Sequence, residues 1–308
     1  MIHLQMNGFI ADNLFQYCVG RIVAEELGYE LRVSHSRMHP RRNVPQLLQL
    51  LSQFRNAPIH IPGLAFEHPV DKTGLIGHDG FDGFHLDLQK IVDCRDQRKI
   101  MLAGYFQQYA ILRPYKSRIR AWFEIAPLSL GYDIHPDDVV VHVRMGDLVV
   151  LGWAISLNFY SDLLDTLQFR KLYICGFGLG AEVRNHFARF DPIYVHSKPV
   201  DDFRFMKGFN RIILSNSGFS WWAAFLSDAS EIHAPVMAAN DRTFDPKSEL
   251  ADLRVDDEAR YHYVYDVPYM ERAYTLKDIL ISAGQLSKRR LVLSLKGLLA
   301  NPYSGDKH

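Results

Sequence analysis

The chain has 308 residues, with 35 basic and 35 acidic side chains and a formal net charge of zero, so it lacks the cationic excess of a general nucleic-acid binder. At 48% hydrophobic and 23% charged its composition is that of a globular protein, and its length favours two domains over a single core. The three cysteines, Cys18, Cys94 and Cys175, are too few and too scattered for a disulfide framework or a zinc knuckle, and they fit a reducing cytoplasm.

Residues 1–6 read as a first strand, followed by a loop through Asn7, Gly8, Asp12 and Asn13. Residues 14–27 carry helical periodicity, with Leu14, Tyr17, Cys18, Arg21 and Ile22 along one stripe, and Gly28 stands where a C-cap glycine belongs. With a second strand over 29–34 this makes a βαβ unit whose loop faces a ligand crevice. The loop holds only one glycine, so it suits the wall of a substrate cleft better than a phosphate cradle. No charged stretch leads into an apolar run here, and no signal peptide is expected; nor does any apolar run approach a membrane span.

Residues 36–97 are rich in prolines and in Gly-Asp turns and are expected to be loop-rich with short elements. Their histidines (His39, His60, His68, His78, His85) lack the tight helical spacing of a metal site, and no metal is expected. A strand is predicted over 100–105, a helix beginning within Gln107-Gln108-Tyr109, a basic helix over 113–125, and a linker over 127–136 broken by Gly131 and Pro136. The division of the chain is placed there, giving a domain of residues 1–130 and another of 137–275.

The run from Val139 to Val143, apolar except for His142, reads as a buried strand, and polar residues gather where it ends. His142 and Arg144 leave the same face, Gly146 permits a sharp turn, and Asp147 follows on the loop. Ligands of open α/β sheets bind beyond the carboxyl ends of the strands, and an Arg fork there suits a pair of phosphate oxygens. The competing reading is an Arg144–Asp147 ion pair that holds a loop.

A helix is expected from Asn158, a strand over 171–176, and a glycine cluster at Gly176, Gly178 and Gly180 that is a weak candidate for cradling phosphate. A short strand over 193–195 leads to a helix opening with Asp201 and Asp202, for one of which helix capping is the plain alternative. The strand 211–214 then empties into Ser215, Asn216, Ser217, Gly218, Phe219 and Ser220, ahead of an apolar face made by Trp221, Trp222 and Phe225. Small hydroxyl and amide residues at a strand-to-helix turn offer donors to an anion, although an ordinary cap over a core helix accounts for the same residues. Two such strand ends, one carrying Arg144 and one the serine loop, together favour a diphosphate site. Another strand-like piece follows at 232–235.

Val-His-Val-Arg-Met-Gly-Asp at 141–147, the stretch from Ser215 to Phe225, and Asn13-Leu14-Phe15-Gln16-Tyr17 occur in the order found in glycosyltransferase family 11, the α-1,2-fucosyltransferases, which the chain resembles over residues 7 to about 235. The His-x-Arg-x-Gly-Asp piece is shared by wider fucosyltransferase groups. The resemblance implies an α/β, GT-B-like fold of two Rossmann-like domains facing a central cleft. It implies an inverting, metal-independent and cofactor-free enzyme that moves fucose from GDP-fucose to a glycan hydroxyl, forming an α-1,2 bond. The carboxyl-terminal domain would hold the donor, and the amino-terminal loop, with Gly8 and Asn13, would face the acceptor.

Carried over residue by residue, Arg144 would grip the diphosphate and neutralise the leaving group, with His142 beside the nucleotide. Asp202 would accept from guanine N–H groups, and Ser215, Asn216, Ser217, Gly218, Phe219 and Ser220 would surround the phosphates. Asp147 and Asp12 are the candidate bases for the acceptor proton. The chain departs from the family at Met145, where a second arginine is common, at Gly176-Phe177-Gly178, where Ser-Asp-Asp is frequent, and at Gly218, which replaces Thr. Its amino-terminal glycine-rich loop is also eroded, which bears on acceptor and linkage. Transfer from another GDP-sugar, and a nucleotide-sugar or glycan-binding protein without catalysis, are the alternatives.

Residues 276–308 form a separate tail in this reading, with a basic cluster and a strong apolar side over 286–299. A terminal helix packed on the enzyme is expected; the sharper alternative is peripheral contact with the inner face of a membrane, where a lipid-linked oligosaccharide acceptor would lie.

Overall fold

In a computed structural model of the chain, residues 1–6, 8–35, 52, 54, 91, 100–146, 148, 149, 152–237 and 251–270 are described. They fall into two compact units, one within Met1–Ala126 and Pro246–Glu258, the other within Pro127–Asp245 and Ala259–His308. The expectations for Asp147, for nearly all of 36–97, and for the tail at 276–308 with its 286–299 helix lie outside the described residues.

The first unit carries a parallel sheet in the order β2-β1-β3, from β1 (Ile2–Met6), β2 (Leu31–His35) and β3 (Ile100–Ala103). Helix α1 (Ile10–Leu27) joins β1 to β2 as the βαβ pattern predicts, and Gly28 closes it in the left-handed conformation. The helix starts earlier than its periodicity implied. Asp12 reaches back from the first turn, its Oδ2 accepting from the Phe9 N–H at 2.7 Å, so residues 10–13 are helix and not loop. Nor is there a single apolar stripe: α1 is buried on nearly every side, including Asn13, Phe15, Gln16 and Val19. Helices α2 (Tyr109–Leu112) and α3 (Lys116–Trp122) follow, joined by a 3-10 turn at Arg113–Tyr115.

The sequence kept 137–275 together, but residues 251–258 belong to the first unit. Polar pairing explains the excursion. Asp252 forms a parallel bridge with Gln108, and the Tyr109 hydroxyl donates to Asp257 Oδ1 at 2.6 Å. Lys116 Nζ lies 2.8 Å from Asp257 and 3.0 Å from Glu258, and Arg120 reaches both oxygens of Glu258 at 2.9 and 3.1 Å. The basic helix read at 113–125 thus has an acidic partner segment well over a hundred residues downstream.

The second unit is built on β4 (Val139–Arg144), α4 (Leu157–Thr166), β5 (Leu172–Phe177), α5 (Ala181–Phe187), β6 (Ile193–Tyr194), α6 (Pro199–Met206), β7 (Arg211–Ile213), α7 (Gly218–Phe225), β8 (Glu231–Met237) and β9 (Tyr261–Val267). All six strands are parallel, in the order β6-β5-β4-β7-β8-β9. The chain builds outward from β4 through β5 to β6, returns to the other side of β4, and builds outward again from β7 to β9, which is the doubly wound arrangement. Both units are therefore α/β with parallel sheets, as expected from the alternation of strand and helix signals.

The pleat of β4 sorts its residues. Val139, Val141 and Val143 share a core with Leu157, Tyr160 and Leu164 of α4 and with Val183 and Phe187 of α5. Val140, His142 and Arg144 leave the other face, where Tyr173, the register partner of Val140, packs on Phe205 and Phe209 at ring separations of 5.8 and 5.2 Å. Strand β9 was not anticipated, although Tyr-His-Tyr-Val-Tyr-Asp-Val is rich in aromatic and β-branched residues. Among the described residues no helix is long and apolar enough to cross a membrane.

Candidate functional site

The strand order of the second unit reverses between β4 and β7, and in such sheets the crevice at the carboxyl ends of these strands is the ligand site. His142 and Arg144 end β4, and Ser215 lies two residues beyond β7. The His142 ring is buried, its Nδ1 lies 2.8 Å from Ser215 Oγ, and its centroid is 5.6 Å from that of Phe219. Burial, and after it the Arg144 charge, lower the imidazole pKa to about 3, so the ring is neutral at physiological pH.

The serine loop is more self-contained than the sequence implied. Ser217 is the N-cap of α7, its Oγ accepting from the Phe219 N–H at 3.3 Å. Ser220 is buried and its hydroxyl donates to the Ser217 carbonyl at 3.0 Å, with the Ser215 hydroxyl 3.4 Å away. The expected phosphate donors at Ser217 and Ser220 are thus engaged in forming the turn, while Gly218 opens the helix between them. Asn216 donates through Nδ2 to the Trp153 carbonyl, and its buried Oδ1 has no hydrogen-bond partner among the described residues.

Asp202 sits in the first turn of α6, but the N-cap is Lys198, so capping accounts for neither Asp201 nor Asp202. The Asp202 side chain is buried, and its Oδ1 accepts from Ser197 Oγ at 2.6 Å. Burial raises this carboxyl to about 6 despite the Ser197 hydrogen bond, which acts the other way. Phe203 of α6 meets Phe219 of α7 edge-on at 5.6 Å, joining the two helices. Cys175 is the register partner of His142, and burial, followed by the Asp202 charge, pushes its thiol pKa up, which makes it a poor nucleophile. Asp202, Cys175, His142 and Ser215 therefore converge on one face of the sheet.

Arg144 is half-buried, and its Cζ lies 4.9 Å from the centroid of Phe177, its register partner on β5. The Met145 N–H donates to the Phe177 carbonyl at 2.8 Å, extending the pairing past the end of β4. Gly176 has φ +131°, and a Cβ there would lie 2.0 Å from the Val143 carbonyl oxygen. That close approach of two strands is a structural demand on Gly176, independent of any ligand, so Gly176 needs no phosphate to explain it. Gly146 has φ +54°, and a Cβ on it would lie 2.1 Å from the Phe177 ring.

Gly8, Asp12 and Asn13 belong to the first unit, and every other described candidate belongs to the second. Both carboxylate oxygens of Asp12 are engaged, Oδ2 by the Phe9 N–H and Oδ1 by Gln107 Nε2 at 2.7 Å. Asn13 is fully buried and donates to Gln16, which in turn donates to the Gly104 carbonyl at 2.8 Å. Gln16 thus ties α1 to the residue that follows β3, and Asn13 orients Gln16 from within the helix instead of lining an open loop. Sequence reasoning gave no role to Phe177 or Ser197, though an aromatic residue between glycines at a strand end was a visible signal for the first. Among the described residues no group of three or more His, Cys, Asp or Glu is placed to hold a metal ion.

No family model and no curated protein matches the chain. Among solved structures it is similar to the NodZ α-1,6-fucosyltransferase soaked with GDP-fucose, at 14% identity and a TM-score of 0.41 over 75% of this chain and 93% of that one. The fucosyltransferase NodZ from Bradyrhizobium is similar at 13% identity and a TM-score of 0.40 over 75% and 94%. The NodZ α-1,6-fucosyltransferase co-crystallized with GDP is similar at 12% identity and a TM-score of 0.39 over 75% and 93%.

Proposed function

We propose that the chain is a GDP-fucose-dependent fucosyltransferase, acting by inversion without a metal, on a hydroxyl of a glycan or lipid-linked oligosaccharide. The observation that carries this reading is the convergence of Arg144, His142, Ser215 and Asp202 at the reversal point of a doubly wound parallel sheet. Its chemistry follows from those residues. Arg144 binds the diphosphate and stabilises the charge that grows on GDP as the glycosidic bond breaks. Asp202 accepts from two guanine N–H groups, which a uracil ring does not present in the same pattern. The neutral His142 ring packs beside the nucleotide without adding a charge. A carboxylate takes the acceptor proton, with Asp147 preferred over Asp12 because both Asp12 oxygens already have structural partners. The α-1,2 linkage is proposed from the sequence resemblance to the α-1,2-fucosyltransferases alone.

Calorimetric titration with GDP, GDP-fucose, GDP-mannose and UDP, on wild type and Arg144→Ala, tests the reading. Guanine nucleotides are expected to bind and UDP not to, with binding weakened in the variant by about 10- to 100-fold, the worth of a charge-assisted contact. Binding indifferent to Arg144 would leave it a structural residue, and the fucosyltransferase reading would fall. Transfer to a galactoside acceptor, followed by linkage analysis of the product, then tests the α-1,2 bond, and transfer unchanged by a chelator tests metal independence.

One observation favours a second reading, a nucleotide-sugar-binding protein without turnover. It is the engagement of Asp12 in cap and tether bonds, which gives both oxygens of that candidate base a structural partner. Slow hydrolysis of GDP-fucose by water would exclude that reading, since it requires a site able to break the donor bond.

A further inference from the structure

We propose that Phe177 is a positioning residue, whose ring holds the Arg144 guanidinium at the carboxyl edge of the second sheet in the orientation that engages a diphosphate. The proposal rests on the reading of Arg144 as the phosphate-binding cation.

An arginine side chain has four rotatable bonds, and a guanidinium that must present two parallel N–H groups to an anion loses affinity with each orientation it samples. Phe177 limits that sampling. It is the register partner of Arg144, so both side chains leave the same face of adjacent parallel strands. The guanidinium carbon lies 4.9 Å from the ring centroid, within the range of a cation–π contact.

The ring is itself fixed. Its edge lies so close to Gly146 that a single added methyl group would be 2.1 Å from it. Its backbone carbonyl accepts from the Met145 N–H at 2.8 Å, which locks the two strand ends in register. Yet Phe177 is 39% exposed, one of only two large hydrophobic residues among the described residues left so open. A ring packed against backbone on one side, placed beside a cation and open to solvent does little for the core. Its evident partner is the side chain of Arg144.

A double-mutant cycle in Phe177→Leu, Arg144→Ala and the double variant tests this, with GDP and inorganic pyrophosphate as probes. Phe177→Leu keeps an apolar side chain of similar reach but removes the π face, and is expected to weaken both probes about two- to fivefold, the strength of an exposed cation–π contact. Phe177→Tyr should restore wild-type affinity, and Phe177→Leu should cost nothing further on the Arg144→Ala background. A ligand-free readout accompanies the titrations: the Arg144 δ-methylene protons should show a ring-current shift that disappears in Phe177→Leu. No ring-current shift, unaltered affinity in Phe177→Leu, or the same loss with and without Arg144, would each overturn the positioning role. Failure of the wild type to bind either probe would instead overturn the diphosphate reading.

Discussion

His142 Nδ1 lies 2.8 Å from Ser215 Oγ, and this bond joins the ends of the two strands between which the second sheet reverses its order. Strands β4 and β7 pair directly only over Val139–Val141 and Arg211–Ile213, so the side-chain bond continues the connection past the end of the ladder. Both partners are buried, and removing the Ser215 hydroxyl takes from His142 Nδ1 its 2.8 Å partner in a place that water does not reach. Ser215→Ala should lower the unfolding free energy by about 1–3 kcal/mol in urea titrations. The double variant His142→Phe/Ser215→Ala should lose less than the sum of the single changes, because no orphaned polar atom remains. Strict additivity would mean that the two groups do not interact in solution.

The same imidazole gives stability a pH dependence of defined sign. Burial lowers its pKa from 6.5 to about 3, so between these values the unfolded chain binds a proton that the folded chain does not. Its effect on stability is therefore constant above about pH 6.5 and becomes increasingly unfavourable as the pH falls towards 3. In thermal melts the decline of wild-type stability from pH 7 to pH 5 should be shallower in His142→Phe.

Asp202 acts in the opposite direction. Burial raises it from 3.8 to about 6, so the folded chain gains stability as the pH falls through 6 and the carboxylate takes up its proton. At neutral pH the buried charge costs roughly 3 kcal/mol, the equivalent of that displacement. Asp202→Asn should therefore raise the unfolding free energy of the ligand-free protein at pH 7.5 and also weaken GDP. In the wild type, GDP affinity should fall roughly tenfold between pH 7 and pH 5, as the acceptor of the guanine N–H groups is protonated. A variant both less stable and unimpaired in GDP binding would show that Asp202 is an ordinary satisfied core residue.

The second unit was largely legible because its inner strands are buried on both faces and announce themselves as short apolar runs, each emptying into polar or glycine residues. Val139–Arg144 and Arg211–Ile213 were found that way, and with them His142, Arg144 and the serine loop. What the sequence hides is where a polar atom is already engaged. Asp12, Asn13, Ser217 and Ser220 all look available in a linear reading, and each is held by a local or distant partner. The return of residues 251–258 to the first unit was illegible for the same reason, since ion pairs between segments this far apart leave no periodic trace. Strand β9 is a different case, with its aromatic and β-branched run in plain view.

The glycine cluster at the end of β5 offers a direct comparison between packing and function. A Cβ at Gly176 would meet the Val143 carbonyl at 2.0 Å, and that atom belongs to a strand unable to retreat, whereas a Cβ at Gly180 meets none of the described residues within 4 Å. Gly176→Ala should destabilise the protein by more than about 3 kcal/mol, adding a steric clash to an unfavourable backbone conformation. Gly180→Ala should cost under about 1 kcal/mol, as expected at an N-cap where glycine is only mildly preferred. If Gly180→Ala nonetheless abolished GDP binding at unchanged stability, the loop would be a phosphate cradle after all.

Asp12 separates a structural carboxylate from a catalytic one most cleanly. Its Oδ2 caps α1 through the Phe9 N–H, and its Oδ1 accepts from Gln107 Nε2, so both bonds use it as an acceptor. Asp12→Asn retains one carbonyl oxygen for the cap but puts an amide where Gln107 donates, and it removes all basicity. As a cap and tether alone, the change should lower the unfolding free energy by about 1 kcal/mol and leave the turnover number within a few-fold of wild type. As the general base, it should lower turnover by about 10²- to 10⁴-fold with GDP affinity intact. Gln107→Leu supplies the control, since it removes the tether and keeps the carboxylate. The geometry predicts the first pattern, with Asp12→Asn and Gln107→Leu similar in both stability and rate. A large loss of rate in Asp12→Asn alone would return the acceptor proton to Asp12.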